Sequence, residues 1–116
     1  MKRVYSEQSH NCFTWYKGDQ IHRDNDLPAI ERANGDKEWW VDGKLHRDRG
    51  LPAIERANGG KEWYVNGKWH RAGGLPAIER VDSSEIHFPH FAHQEWWYDG
   101  NRHRDGDLPA IEYANG

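Results

Sequence analysis

The chain is short of what most small domains rely on. Of its 116 residues one is cysteine, Cys12, and one is methionine. No internal disulfide framework can form, and a reducing compartment, the cytoplasm, is the expected location. Leu, Ile, Val and Phe together supply only 18 residues, below the ~20% share at which chains tend toward disorder. No apolar run approaches the ~20 residues of a membrane-spanning helix. The opening stretch from Met1 to Cys12 has no apolar segment of the kind a secretory leader carries. A basic excess is missing too: 16 Lys and Arg stand against 19 Asp and Glu, a net charge of −3. That excludes the footprint of a nucleic-acid binder and a polybasic membrane patch. Helical periodicity of useful length is absent as well.

What the chain does have is aromatic mass and repetition. Seven Trp and five Tyr replace the missing aliphatics, and each such ring can bury roughly 150–250 Å². LPAIER recurs at Leu27, Leu51 and Leu75, and LPAIEY at Leu108, in steps of 24, 24 and 33 residues. The pairs His22-Arg23, His46-Arg47, His70-Arg71 and His103-Arg104 keep the same steps. So do Trp15-Tyr16, Trp39-Trp40, Trp63-Tyr64 and Trp96-Trp97. This spacing divides the chain into an N-terminal segment 1–12, repeats 13–36, 37–60, 61–84 and 94–116, and an insertion 85–93.

Each unit reads as short strands and tight turns. Lys37–Val41 is an aromatic-rich strand, followed by Asp42-Gly43 and a second short strand. Asp-Gly and Asn-Gly, here at Asp42, Asn66 and Asp99, favour a type I′ hairpin, in which both central residues need positive φ. Gly18-Asp19 suits type II′. Leu-Pro limits pairing, and Ala53–Arg56 forms a third strand. A two-residue loop at Asn34-Gly35 would oppose like charges. A three-residue loop, Ala33-Asn34-Gly35, sets Glu31 opposite Lys37 and is preferred. Trp40 then lies opposite Leu45, and Trp39 opposite His46. Alternation sorts Ile30, Arg32, Glu38, Trp40, Leu45 and Arg47 to one face. Ala29, Glu31, Lys37, Trp39, Val41 and His46 go to the other. The expected fold is all-β: an elongated, twisted antiparallel meander of roughly seven to ten strands. Its last strand, Ala110–Ala114, is an open edge that pairs with a second chain or is covered by Met1–Gln8.

The spacing Glu62-Trp63-Tyr64-Val65-Asn66-Gly67-Lys68-Trp69-His70, with Asn58-Gly59 upstream, resembles the MORN repeat, from about Phe13 to Gly116. The resemblance implies an antiparallel meander in a mostly non-enzymatic family that scaffolds, binds proteins or, in some members, binds lipid. The Leu-Pro-Ala-Ile-Glu stretch departs from the usual pattern and looks closer to variant repeats of bacteria, phages and large viruses.

The recurring residues have chemical readings as well. Four copies of His-Arg favour a structural task, imidazole packed on Trp39 or its equivalents and bonded to backbone or Glu, because a catalytic site uses one constellation. Glu31, Glu55, Glu79 and Glu112 fit cross-strand ion pairs better than a glycosidase pair, which needs two carboxylates in different environments. Turn chemistry accounts for Asp24-Asn25-Asp26 better than a Ca²⁺ loop. The Trp15, Trp39, Trp63 and Trp96 column is expected to be core, and the Tyr16, Trp40, Tyr64 and Trp97 column a contact surface. The insertion brings His87, Phe88, His90, Phe91 and His93. Its three-residue His spacing resembles imidazole metal ligation, yet a Pro-containing aromatic loop suits docking on another protein better.

The expected function is therefore a non-enzymatic protein-binding module without metal or cofactor. Its partner-binding residues are the insertion aromatics and histidines together with Tyr16, Trp40, Tyr64 and Trp97. The resemblance implies a concrete form, a small inhibitor of the antitoxin or phage counter-defence kind that blocks a larger protein. The alternative is a lectin-like carbohydrate binder using the exposed Trp/Tyr column.

Overall fold

A computed structural model describes residues 2–6, 12–81, 91–104 and 108–113. These residues are all-β, with sixteen strands and no helix, and the molecule extends 45 × 32 × 21 Å. Strands β1 (Lys2–Ser6), β2 (Cys12–Lys17) and β3 (Gln20–Ile21) come first. The pairs β4 (Ile30–Arg32) and β5 (Lys37–Glu38), then β6 (Trp40–Val41) and β7 (Lys44–Leu45), follow. The pattern recurs as β8 (Ile54–Glu55), β9 (Lys61–Glu62), β10 (Tyr64–Val65) and β11 (Lys68–Trp69). It closes with β12 (Ile78–Val81), β13 (Phe91–Glu95), β14 (Trp97–Tyr98), β15 (Asn101–Arg102) and β16 (Ile111–Tyr113).

A ten-stranded antiparallel sheet runs β1-β2-β4-β5-β8-β9-β12-β13-β16, with β3 also on β2. The hairpins β6–β7, β10–β11 and β14–β15 are separate two-stranded sheets. The main sheet is thus a meander in which alternate connections are lengthened by a hairpin. The single strand expected over Lys37–Val41 is divided at Trp39, which explains why the segments outnumber the expected seven to ten. The Trp39 N–H donates to Ala53 O at 2.7 Å in the main sheet, while its carbonyl accepts from His46 N at 3.1 Å in the hairpin. Trp63 and Trp96 make the same change of partner.

The turns follow from side-chain chemistry. Asp42 and Gly43 have φ of 50° and 79°, and Asn66-Gly67 and Asp99-Gly100 repeat the pattern, as a type I′ turn requires. Glu31 faces Lys37 and Ile30 faces Glu38, the register that the three-residue loop predicts. Trp40 faces Leu45. The core is a set of rows rather than a centre: Ala29, Ala53 and Ala77 are fully buried, Trp39, Trp63 and Trp96 nearly so, and Ile30, Ile54 and Ile78 complete it.

Two expectations need correction. Arg47 does not share a face with Trp40; its guanidinium lies over the Trp39 ring, 3.7 Å from the centroid. Period-two alternation holds only along a ladder; β7 ends at Leu45, His46 makes the last bond across to Trp39, and the Arg47 N–H already goes to Tyr64 O. The N-terminal segment does not cover β16 either. β1 pairs along β2, from Lys2 opposite Tyr16 to Ser6 opposite Cys12, at the other end of the sheet.

Replacing a buried Trp should cost most of the stability of so small a core. Trp63→Ala is expected to lose about 3–5 kcal/mol and Trp63→Phe clearly less, read by urea denaturation. Equal losses would show that the ring volume of Trp63 is not what holds the row.

Candidate functional site

One arrangement recurs in every unit. Arg23, Arg47, Arg71 and Arg104 lie 3.8, 3.7, 3.6 and 3.6 Å from the ring centroids of Trp15, Trp39, Trp63 and Trp96. The Nη1 of each donates to the carbonyl of Pro28, Pro52, Pro76 or Pro109 and to the carboxylate of Glu31, Glu55, Glu79 or Glu112. Arg suits this place because its planar cation stacks on an aromatic face while its edge donates hydrogen bonds. The indoles are anchored from below: Trp39, Trp63 and Trp96 Nε1 donate to Asp26, Gly50 and Gly74 carbonyls at 2.9–3.0 Å. The four Glu are therefore structural ion-pair partners.

His tethers one unit to the next. The backbone N–H groups of Asp42, Asn66 and Asp99 donate to Nδ1 of His22, His46 and His70 at 2.9–3.0 Å. Nδ1 is thus an acceptor, which places the proton on Nε2. His22 and His46 donate from Nε2 to Asp24 and Asp48, both at 2.6 Å. The histidines are structural, as expected, but they bond to Asp and to a hairpin turn, and Arg rather than His takes the Trp face. Asp24 is occupied by His22 and Asp26 by Arg47, at 2.9 Å.

The second aromatic column is half-buried and wired to carboxylates. Trp40 and Trp97 Nε1 donate to Glu38 and Glu95, both at 2.9 Å. Glu62 is buried and accepts from Arg56 at 2.5 Å, Trp69 Nε1 at 3.1 Å and Tyr64 OH at 3.4 Å. Burial, with Glu62 alongside, pushes the Tyr64 phenol well above its usual range. Trp69 lies between Tyr64 and Trp97, at centroid distances of 5.5 and 4.7 Å, with the rings tilted by 36° and 44°. Tyr16 is half-buried on β2 opposite Ile21. Phe91 and His93 stand in β13, opposite Val81 and Arg80, and His93 is bonded to Glu95. His87, Phe88 and His90 lie outside the described residues. Trp69 was not legible as a member of the column, because the hairpin pairing Tyr64 opposite Trp69 brings it there across a strand.

Along the other flank run grooves between successive loops and hairpins. The first, about 440 Å³, is lined by residues including His22, Trp39 and Arg49. The next, about 310 Å³, is lined by residues including Leu51, Val65, His70, Arg71 and Leu75. Leu27, Leu51, Leu75 and Leu108 are all exposed, whereas Pro28, Pro52 and Pro76 beside them are buried. The 24-residue recurrence of Leu-Pro carried a signal for this row: Pro takes the chain out of the ladder, and Leu is left outside. Among the described residues, no helix is long and apolar enough to cross a membrane. Comparison of the chain with protein-family models, curated proteins and solved structures returns no match.

Acid should unfold the protein partly through two of these carboxyls. The hydrogen bond from His22 holds Asp24 below the usual range. Burial alone would raise Glu95, but the hydrogen bonds from His93 and Trp97 outweigh it and hold that carboxyl low. A lowered folded pKa gives stability that is present above the unfolded carboxylate range and is lost as pH falls through the folded value. In urea titrations between neutral and acidic pH, Glu95→Gln is expected to be less stable than the parent at neutral pH, with the gap closing on acidification.

Proposed function

We propose that the chain is a non-enzymatic protein-binding module whose contact surface is the exposed Leu row and its grooves. The supporting observation is Leu51 and Leu75, 37% and 48% exposed, lining one groove on an elongated sheet. An apolar row repeated at a fixed step on a rigid sheet matches an extended partner segment better than a small metabolite. The recurring carboxylates and imidazoles are used in holding the units together, which supports a binding task over acid–base chemistry. The resemblance to MORN repeats points the same way, and the small-inhibitor form is its concrete version. The half-buried Tyr16, Trp40, Tyr64 and Trp97 form a second contact surface, to which the reading adds the insertion residues His87, Phe88, His90, Phe91 and His93. Mutual tilting of the Tyr64, Trp69 and Trp97 rings suits packing better than a flat sugar platform.

The test is capture from the native host by the intact chain and by the Leu51→Ser/Leu75→Ser variant. One stoichiometric protein is expected on the parent and at least ten-fold less on the variant, with an unchanged melting temperature because both side chains are exposed. Retention by the variant, with loss in Phe88→Ala/Phe91→Ala, would move the surface to the insertion. A glycan-array signal lost in Trp97→Ala would establish the lectin reading instead.

A further inference from the structure

The Trp-stacked arginines differ at their outer edge: Arg47 meets a carboxylate there, whereas Arg23, Arg71 and Arg104 bond to described residues through Nη1 alone. In the second unit the outer edge of Arg47 is closed: Nε donates to Asp26 Oδ1 at 2.9 Å and Nη2 to Asp26 Oδ2 at 3.4 Å. Asp26 reaches this place because its carbonyl is pinned by Trp39 Nε1, under the Arg47 guanidinium. The third unit reproduces the frame. Gly50 O is pinned by Trp63 Nε1 at 2.9 Å, and Arg71 lies over Trp63. At the position of Asp26, however, stands Gly50, which has no side chain, and Arg71 Nε and Nη2 make no hydrogen bond to any described residue.

The loss is doubled at the neighbouring histidine. His22 and His46 give their Nε2–H to Asp24 and Asp48. His70 has Ala72 in that position, and its Nε2–H has no bond to any described residue. Arg71, His70, Gly50 and Ala72 all line the same groove, as does Arg49, which pairs with no described residue. The acids present are engaged: Asp48 by His46 and Glu79 by Arg71 Nη1. Burial pulls Arg71 below its usual range and Glu79 does not offset it. Leu51, Leu75 and Val65 form the apolar wall.

We infer that this groove receives an Asp or Glu side chain of a protein partner, its carboxylate on the free edge of Arg71, with an adjoining aliphatic residue against Leu51, Leu75 and Val65. The chain supplies its own template in the Asp26–Arg47 pair. Bidentate carboxylate–guanidinium pairing is directional and roughly twice as strong as a neutral hydrogen bond. The inference rests on the protein-binding reading and names the chemistry of the partner segment.

The experiment uses the full chain, ¹⁵N-labelled, titrated with N-acetyl-Asp-Leu-amide and, in parallel, N-acetyl-Asn-Leu-amide. Saturating shifts are expected at the Arg71 side-chain Nε–H and at the Gly50, Leu51 and Leu75 amides, with the Asn peptide roughly ten-fold weaker. Gly50→Asp should close the site from within. Position 50 has φ +69°, where any side chain carries backbone strain, with open space beyond its Cβ; Asp26 bears the same strain at φ 56° in the equivalent place. This variant should melt about 4 °C higher than Gly50→Asn, which carries the same backbone strain, and bind the Asp peptide at least ten-fold more weakly than the parent, while Gly50→Asn should still bind. Equal shifts from both peptides, undiminished binding by Gly50→Asp, or equal shifts from inorganic phosphate would each overturn the inference. A captured partner that survives Gly50→Asp but is lost from Leu51→Ser/Leu75→Ser would overturn it while leaving the protein-binding reading standing.

Discussion

The structure depends on a guanidinium lying on an indole. A chain with so few aliphatic residues cannot close a core by oil alone, so each unit lays an Arg over a Trp, buried at Trp39, Trp63 and Trp96 and half-buried at Trp15. The cation cannot be left unmatched against an apolar ring, and the Pro carbonyl and the Glu carboxylate match it. This couples four distant parts of the 24-residue unit: the aromatic pair, the His-Arg corner, the Leu-Pro turn and the Ala-Ile-Glu strand. Isolated exposed ion pairs contribute little; these gain from stacking, from a backbone acceptor and from partial burial.

Cohesion between units comes from elsewhere. The tip of each hairpin donates its Asp42, Asn66 or Asp99 N–H to the histidine of the preceding unit. The next N–H of each turn, from Gly43, Gly67 and Gly100, goes to the carbonyl of Ile21, Leu45 and Trp69. The type I′ turn therefore reverses the chain and also presents two donors to its neighbour. Central strands of the main sheet carry Ile opposite Glu, as at Ile54 and Glu62. The buried carboxylate is tolerable because Arg56, Tyr64 and Trp69 surround it. Repetition makes departures informative. Where a unit lacks a carboxylate that its neighbour has, the donor left behind is exposed to whatever enters the groove.

Much of this was legible in the order of residues. Asp-Gly and Asn-Gly specify type I′ turns because few residues accept two consecutive positive φ values. Charges on Glu31 and Lys37 set a three-residue loop because like charges oppose badly across a ladder. The burial of Trp39, Trp63 and Trp96 followed from alternation and from the shortage of other core material; Trp15, expected in the same core, is half-buried, and the second column is half-buried rather than exposed. These are local rules, acting over a few residues, and the 24-residue period multiplied them.

Tertiary structure decided what local rules do not reach. Trp39 splits its strand because its N–H and its carbonyl serve two different sheets, a choice that depends on where Ala53 and His46 lie. Arg47 turned to Trp39 once the ladder had ended, and alternation carries no information beyond a ladder. Trp69 joined the aromatic column from the opposite strand. Exposure of the Leu row, and the vacancy opposite Arg71, exist only once consecutive loops are set side by side. Periodicity and turn chemistry determined the meander and the rows of its core. Which donors are matched, and which face a groove unmatched, is a relation between units, and packing alone defines it.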